Sequence, residues 1–298
     1  MRTSLSRAIA YVERHGSELE RWRLRGILGN RHPDPRVIRA LLSKQNEDGG
    51  FPYDLIPGRP SSVHHTLTVL AWLRDLQFLG PPSLPAGGPL RDVEGAVERI
   101  VAYLFTTQRP DGSWDENPAV VKFDPPFPVR PGSPLARTAT TAQVGYWLAL
   151  LGYESDHAVS RAVDYLRSRH VEGRFEGSPH TTWFALALFA RAEGITAKVV
   201  EEARASLAAI PPDRWDAAKL VSMLDCLWEA GFGRWDPLVD AGLQRLLALQ
   251  SLDGGWGSGD NLAAAVDTTL LALRVLISYG VPATPASMPI SGSVGGLS

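Results

Sequence analysis

Asp267, His180 and His65 are the residues of this chain best suited to move a proton. Each lies beside threonines at the start of a run that is otherwise apolar. The stretches read Ala264-Ala265-Val266-Asp267-Thr268-Thr269, His180-Thr181-Thr182-Trp183 and His64-His65-Thr66. Thr138-Ala139-Thr140-Thr141 and Asp216-Ala217-Ala218-Lys219 occupy the same kind of place. A carboxyl and an imidazole can pass a proton when they stand within hydrogen-bond reach of a reacting group. The plainer reading is structural: Ser, Thr and Asp cap helices, and Asp near a helix start suits the dipole. Capping does not account for three histidines, although a histidine beside an apolar face is often a satisfied core or surface group. The same runs carry Trp72, Tyr146, Trp147, Trp183, Phe184, Phe189 and Trp228. Aromatic faces attract cations and give shape to apolar pockets, and they equally fill cores. Candidate ligand contacts are therefore His64, Thr66, Trp72, Thr141, Tyr146, Trp147, Trp183, Lys219 and Trp228. Lys219 and Arg137, near run starts, are candidates for a diphosphate or simply solvated.

The runs have helical period. Leu5, Ile9 and Val12 lie on one face of a helix over 4–15, and Ser17-Glu18-Leu19-Glu20 resembles a capped start to a second over 18–28. Helices are expected over 35–44, 62–79, 92–107, 138–151, 157–169, 180–193, 198–209, 216–231, 237–249 and 262–279. They alternate between amphipathic helices and helices apolar on most sides. No alternating period-2 segment stands out as a sheet. Residues 115–137 form a long proline-rich connection of the kind that serves as a lid or wall, or as an insertion of no consequence.

A repeat ties these helices together. Gln45-Asn46-Glu47-Asp48-Gly49-Gly50-Phe51, Gln108-Arg109-Pro110-Asp111-Gly112-Ser113-Trp114 and Gln250-Ser251-Leu252-Asp253-Gly254-Gly255-Trp256 share one pattern. Gly permits the left-handed turn that stops a helix, Asp bonds nearby backbone, and the aromatic packs over the turn. A degenerate copy runs from His170 through Gly173 to Phe175, and at Trp215 only the aromatic survives. The aromatic positions are about 40 residues apart late in the chain and about 60 apart earlier, which fits one helical hairpin per repeat plus loop insertions.

The Q-x-x-D-G-x-W pattern resembles the QW repeats of the squalene–hopene cyclase and terpenoid cyclase superfamily, whose toroidal fold is shared by protein prenyltransferase β subunits. The resemblance covers roughly residues 4–280. It implies an all-α fold: an α/α toroid of six helical hairpins, with inner and outer helix rings, over residues 1–280. An open α-solenoid is the plainer alternative. A closed ring puts the inner-helix starts around one mouth of a central cavity, expected to be apolar. Residues 281–298 are expected to be a disordered tail.

Bacterial squalene cyclases protonate an alkene with an Asp in a D-x-D-D-T-A stretch. The nearest stretch here ends in Val266-Asp267-Thr268, so the family's donor position falls on Val266, which has no proton to give. If Asp267 acts as the acid, apolar surroundings must raise its pKa, and His180 or His65 must be close enough to share the proton. Prenyltransferases hold zinc with an Asp, a nearby Cys and a His. Here Asp225 and Cys226 are adjacent, so they point about 100° apart on a helix, and no zinc is expected. Two functional readings follow: an atypical terpenoid cyclase-like enzyme using Asp267 and a mouth histidine, or a binding or scaffold protein that kept the fold and lost the chemistry. A third, a prenyltransferase-like transferase, requires a partner subunit. In each the ligand is an isoprenoid or a similar hydrophobic small molecule, with no cofactor.

Composition bounds the rest. The 298 residues carry a formal charge of −2, which gives no electrostatic support for nucleic-acid binding. The single cysteine excludes an internal disulfide and a multi-cysteine zinc site. The first residues lack a signal-peptide core, and no stretch is apolar enough to span a bilayer, so a cytoplasmic location is expected. The resemblance also leaves room for a face that rests on a membrane.

Overall fold

A computed structural model describes residues 5–29, 33–79, 89–257 and 261–281. Among them are twelve α-helices, α1 (Leu5–His15), α2 (Glu18–Ile27), α3 (Pro35–Leu42), α4 (Val63–Asp75), α5 (Pro89–Thr107), α6 (Pro134–Leu150), α7 (His157–Arg167), α8 (Pro179–Glu193), α9 (Lys198–Ala208), α10 (Ala217–Glu229), α11 (Pro237–Ala248) and α12 (Leu262–Ser278). Their starts follow from local chemistry. Ser17 and Glu20 form a capping box at α2, with Ser17 N–H donating to Glu20 Oε2 at 2.6 Å. Asp156, Asp216 and Asn261 cap α7, α10 and α12. Pro134 is the first residue of α6, where its missing N–H costs nothing. That cap starts α6 four residues before the expected Thr138. At α4 the helix ends at Asp75, not Leu79, because Gln77 takes a left-handed φ of 64°. The loop 80–88 and the tail 282–298 lie outside the described residues.

The even-numbered helices form a closed inner ring. Going round it, α2 packs on α4, α4 on α6, α6 on α8, α8 on α10, α10 on α12, and α12 back on α2. The odd-numbered helices lie outside. Burial separates the two sets: α7 buries only Val159, Ala162, Val163, Tyr165 and Leu166, whereas α8 buries Thr181–Trp183 and Ala185–Phe189. Because each hairpin is antiparallel, all six inner helices run the same way, and their N-terminal ends share one side of the ring.

The repeated turns are the fastening. In two of them the Gln amide donates both within its own turn and onto the next outer helix: Gln45 to Gly49 O (2.8 Å) and Ala96 O (3.0 Å), and Gln108 to Gly112 O (2.9 Å) and Ala158 O (2.7 Å). The Asp carboxylate accepts from the backbone two residues on, as Asp48 does from Gly50 N–H at 3.0 Å and Asp253 from Gly255 N–H at 3.1 Å. Trp114 and Trp256 donate their indole N–H to Leu104 O and Leu246 O at 2.6 and 2.7 Å. Gly112 and Gly254 have φ of 85° and 100°, and a Cβ on either would collide with a backbone carbonyl of the next outer helix, that of Arg161 or Arg7. The last of these contacts closes the ring, since Arg7 belongs to α1 and also donates to Gln250 Oε1 at 3.1 Å. Two turns hold short antiparallel ladders, Phe51–Pro52 with Ser61–Ser62 and His170–Val171 with Arg174–Phe175.

Candidate functional site

Four threonines give the inner ring a common ruler. The backbone N–H of each turn aromatic donates to a threonine hydroxyl on the following inner helix: Phe51 to Thr66 (2.9 Å), Trp114 to Thr141 (2.9 Å), Phe175 to Thr182 (3.3 Å) and Trp256 to Thr269 (3.0 Å). Thr66 and Thr141 also donate to Ser62 O and Arg137 O, one turn back, at 2.7 and 2.8 Å. Both are fully buried. They are pegs of the repeat, with their hydroxyls committed to backbone, rather than the ligand contacts expected of them.

Two residues before the threonines, at one height, stand His64, Ala139, His180 and Asp267. His64 is exposed, and burial lowers its pKa below the ordinary histidine value. His180 is half-buried, and burial, then the neighbouring His64, push its pKa down to about 4. Both imidazoles are therefore neutral at pH 7. The ring of His180 lies 3.5 Å from Gln143 Nε2 through Nδ1 and 3.4 Å from Ser222 Oγ through Nε2, and Trp183 Nε1–H donates to the same Oγ at 3.2 Å. With an amide N–H on Nδ1, the proton of the neutral ring sits on Nε2 and points at Ser222. Below this level Thr68, Trp72, Gln143, Phe184, Ser222 and Leu271 of the inner helices are half-buried. Phe184 meets His180 and Tyr146 edge-on, with centroids 4.9 and 5.3 Å apart.

An ion-pair network that sequence reasoning missed ties the inner helices together, from the far end of the ring up to Asp267. Arg74 binds Asp225 at 2.9 Å and Glu229 at 2.6 Å, and Arg274 binds Asp225 at 3.1 Å and also Asp75. Arg23 binds Asp75 at 2.8 Å and Asp267 at 2.7 Å, and Arg191 reaches Glu229 at 3.7 Å. Four arginines meet four carboxylates drawn from α2, α4, α8, α10 and α12. Tyr146 sits against it, 3.5 Å from Arg74 Nη1 and 1% exposed. Burial opposes the charge on Arg23, but Asp75 and Asp267 outweigh it and hold its pKa up. The pairs join residues 38 to 244 positions apart. A polar residue within an apolar helix pattern was the available sign, but nothing local shows that such residues meet.

The proposed proton machinery is not assembled as expected. Asp267, with its side chain 54% exposed, is held by the guanidinium of Arg23 at 2.7 Å. His65 turns away from the axis: its Nδ1 is 3.0 Å from Ser62 Oγ, its Nε2 is 3.5 Å from Asp54 Oδ1, and Tyr53 meets its ring. Burial, then His64, lower its pKa to about 4. Val266 is buried. Lys219 is paired with Asp216, and Arg137 with Asp115 at 3.0 Å, so neither is poised for a diphosphate. Trp228 is 40% exposed near the far end of its helix, against Tyr279. Trp147 and Trp183 are buried core rings. Asp225, beside Cys226, is taken by two arginines, and the described residues contain no cluster of three or more potential metal ligands.

The 115–137 connection packs on the mouth. Buried Glu116 accepts from Ser62 Oγ (2.8 Å), Val63 N–H (2.8 Å) and His64 N–H (3.1 Å), capping α4 from another repeat. Burial raises its pKa, opposed by those same donors. Phe123 stacks on Tyr53 at 5.6 Å. A cleft of about 1150 Å³ lies elsewhere, outside the ring between the fourth turn and α9. In it Arg169 pairs with Glu176 at 3.6 Å, and it shares Thr182 alone with the inner-helix ruler. It lacks the convergent polar groups of the axis. No described helix is long and apolar enough to cross a membrane.

No family model matches the chain, and no curated protein does. Solved structures do. The type II terpene cyclase MstE from Scytonema, without ligand, aligns over 92% of this chain and 96% of its own at TM-score 0.58 and 16% identity. A variant of it in complex with geranylgeranyl dihydroxybenzoate, its substrate, aligns over the same shares at 0.57 and 17%. A protein from Actinoplanes aligns over 92% and 98% at 0.57 and 15%. The fold is the α/α toroid of the terpenoid cyclases. At these identities the likeness is one of fold.

Proposed function

We propose that this chain binds a hydrophobic small molecule of isoprenoid type on the ring axis, and that it does not start a cyclisation by protonating it. The observation that carries this is the wall beneath the mouth: Trp72, Phe184 and Leu271 with two neutral histidines, over a floor whose charges are mutually paired. Such a wall suits apolar surface with a few fixed polar groups. It suits a diphosphate poorly, because the arginines of the floor already hold carboxylates. An acid for an alkene is harder to find. Asp267 is tied to Arg23, and His180, with a pKa of about 4, carries no acidic proton to give at neutral pH.

A second reading, the atypical cyclase, keeps one specific support: Asp267 stands level with His64 and His180, at the mouth of a ring shared with an enzyme that takes a geranylgeranyl compound. One experiment separates the two. Purified protein is titrated with geraniol, followed by tryptophan fluorescence, and incubated products are analysed by gas chromatography. Saturable binding with unchanged geraniol, in wild type and Asp267→Asn alike, is expected. Conversion by the wild type that disappears in Asp267→Asn would establish the enzyme and remove the binding-only reading. Absence of saturable binding would remove both.

A further inference from the structure

Three of the repeated turns are received by the same pair of residues on the next outer helix. On α1, α5 and α7 an arginine stands four residues before a tyrosine: Arg7 and Tyr11, Arg99 and Tyr103, Arg161 and Tyr165. The arginine carbonyl meets the turn glycine, Gly254, Gly49 or Gly112. Its guanidinium donates to the same turn: Arg7 to Gln250 Oε1 at 3.1 Å, Arg99 to Gln45 Oε1 at 2.9 Å and Arg161 to Arg109 O at 2.6 Å. The three tyrosines are buried. A Cβ on Gly50 or Gly255 would lie 2.9 or 2.7 Å from the ring of Tyr103 or Tyr11, so these rings fill the space beside their turns.

The fourth turn is received differently. Gly173 meets the backbone of Glu202 on α9, and Ser206 stands where the tyrosine would. Ser206 Oγ donates to Gly173 O at 2.6 Å, the bond that a Gln amide supplies to Gly49, Gly112 and Gly254. The space of the missing ring stays open. Glu172, Pro179, Ser206 and Ile210 line the cleft of about 1150 Å³. Their matched residues Asp48, Val63, Tyr103 and Thr107 line a cleft of about 570 Å³ beside the second turn. With a tyrosine in place, the corresponding cleft is half the size.

The charge is reversed as well. Glu202 takes the place of a guanidinium, and its partners are weak: Lys198 at 3.4 Å, itself 88% exposed, and His170 at 3.8 Å. Glu172 is exposed and has no ion pair among the described residues. Of the two arginines in the lining, Arg169 is paired with Glu176, and Arg174 is exposed. The carboxylates Glu172, Glu176 and Glu202 thus outnumber the guanidiniums.

We propose that this cleft binds a small aromatic amine, its ring beside Ser206 in the place of the missing tyrosine and its ammonium on Glu202. Those two residues stand one helical turn apart, about 6 Å along the axis. A phenol with an ammonium on a two-carbon arm spans that step. Phe175, Leu207 and Ile210 offer the ring apolar surface, and the carboxylate offers the ammonium a charge-assisted hydrogen bond. The site lies outside the ring and is independent of any ligand on the axis.

Calorimetric titration at neutral pH with tyramine, and with 4-hydroxyphenylacetate as its anionic counterpart, tests this. Tyramine should bind saturably and at least tenfold more tightly than the acid. Glu202→Gln should narrow that ratio at least threefold. Ser206→Tyr restores the residue of the other seams; it should abolish tyramine binding and melt no more than about two degrees below the wild type. Absence of saturable tyramine binding, or a preference below tenfold, overturns the proposal. So does a ratio that Glu202→Gln narrows by less than threefold, or tyramine binding that survives Ser206→Tyr. A larger drop in the Ser206→Tyr melt shows that no room for a ring exists there, and overturns it equally.

Discussion

Two aspartates share Arg23, and their surroundings set very different stakes. Asp75 is 1% exposed and holds Arg23 and Arg274; Asp267 is 54% exposed and holds Arg23 alone among the pairs described. Breaking a buried pair strands its partner's charge and costs about 3–5 kcal/mol, whereas an exposed pair is worth about 0–1 kcal/mol. Asp75→Asn should therefore lower the denaturation midpoint sharply, and Asp267→Asn should barely move it. Urea melts of the two, with unchanged slope, check this; equal effects would mean that the network is not the cohesive unit described. Residue types at the inner-helix starts singled out Asp267, His64 and His180, which take matching positions two residues before the ruler threonines. Sequence gave no sign of Asp75, because an acidic residue at the end of a helix reads as solvated until its partner, 199 positions away, is known.

The repeated turn was the most legible element. Its Gln, Asp, Gly and aromatic do local work, so their spacing survives in the sequence. What the spacing did not reveal is that each turn also grips the next hairpin, through the Gln amide and the glycine contact. Trp256→Ala should cost about 3–5 kcal/mol, the range for emptying a large buried site. Its indole is fully buried and donates to Leu246 O, so the loss combines a cavity with an unpaired carbonyl. A thermal melt moving by less than a degree would remove the fastening role. The expected helix starts at α5 and α6 were late by three or four residues, because the capping positions lie in proline-rich connections where apolar periodicity is weak.

At the scale of the whole ring, the histidines make stability depend on pH. His65 and His180 have pKa values near 4 when folded, against about 6.5 in an unfolded chain. Between those values the unfolded chain binds more protons, so stability is full above pH 6.5 and declines as the pH falls toward 4. Melting temperatures read at half-unit steps should show that decline in the wild type and a shallower one in His180→Gln. Identical slopes would place His180 in water. The closure of the ring has a consequence in time. The seam joins Arg7 to Leu252 across 245 positions and seats α12 against α1 and α2. A ribosome delivers α1 and α2 first and α12 last, so through most of synthesis the first hairpin offers an apolar flank with no neighbour. Contacts this distant in sequence pay their loop-closure entropy late and slow folding. The nascent ring is thus most open to aggregation just before α12 emerges, and a truncation before Leu262 leaves that flank exposed for good.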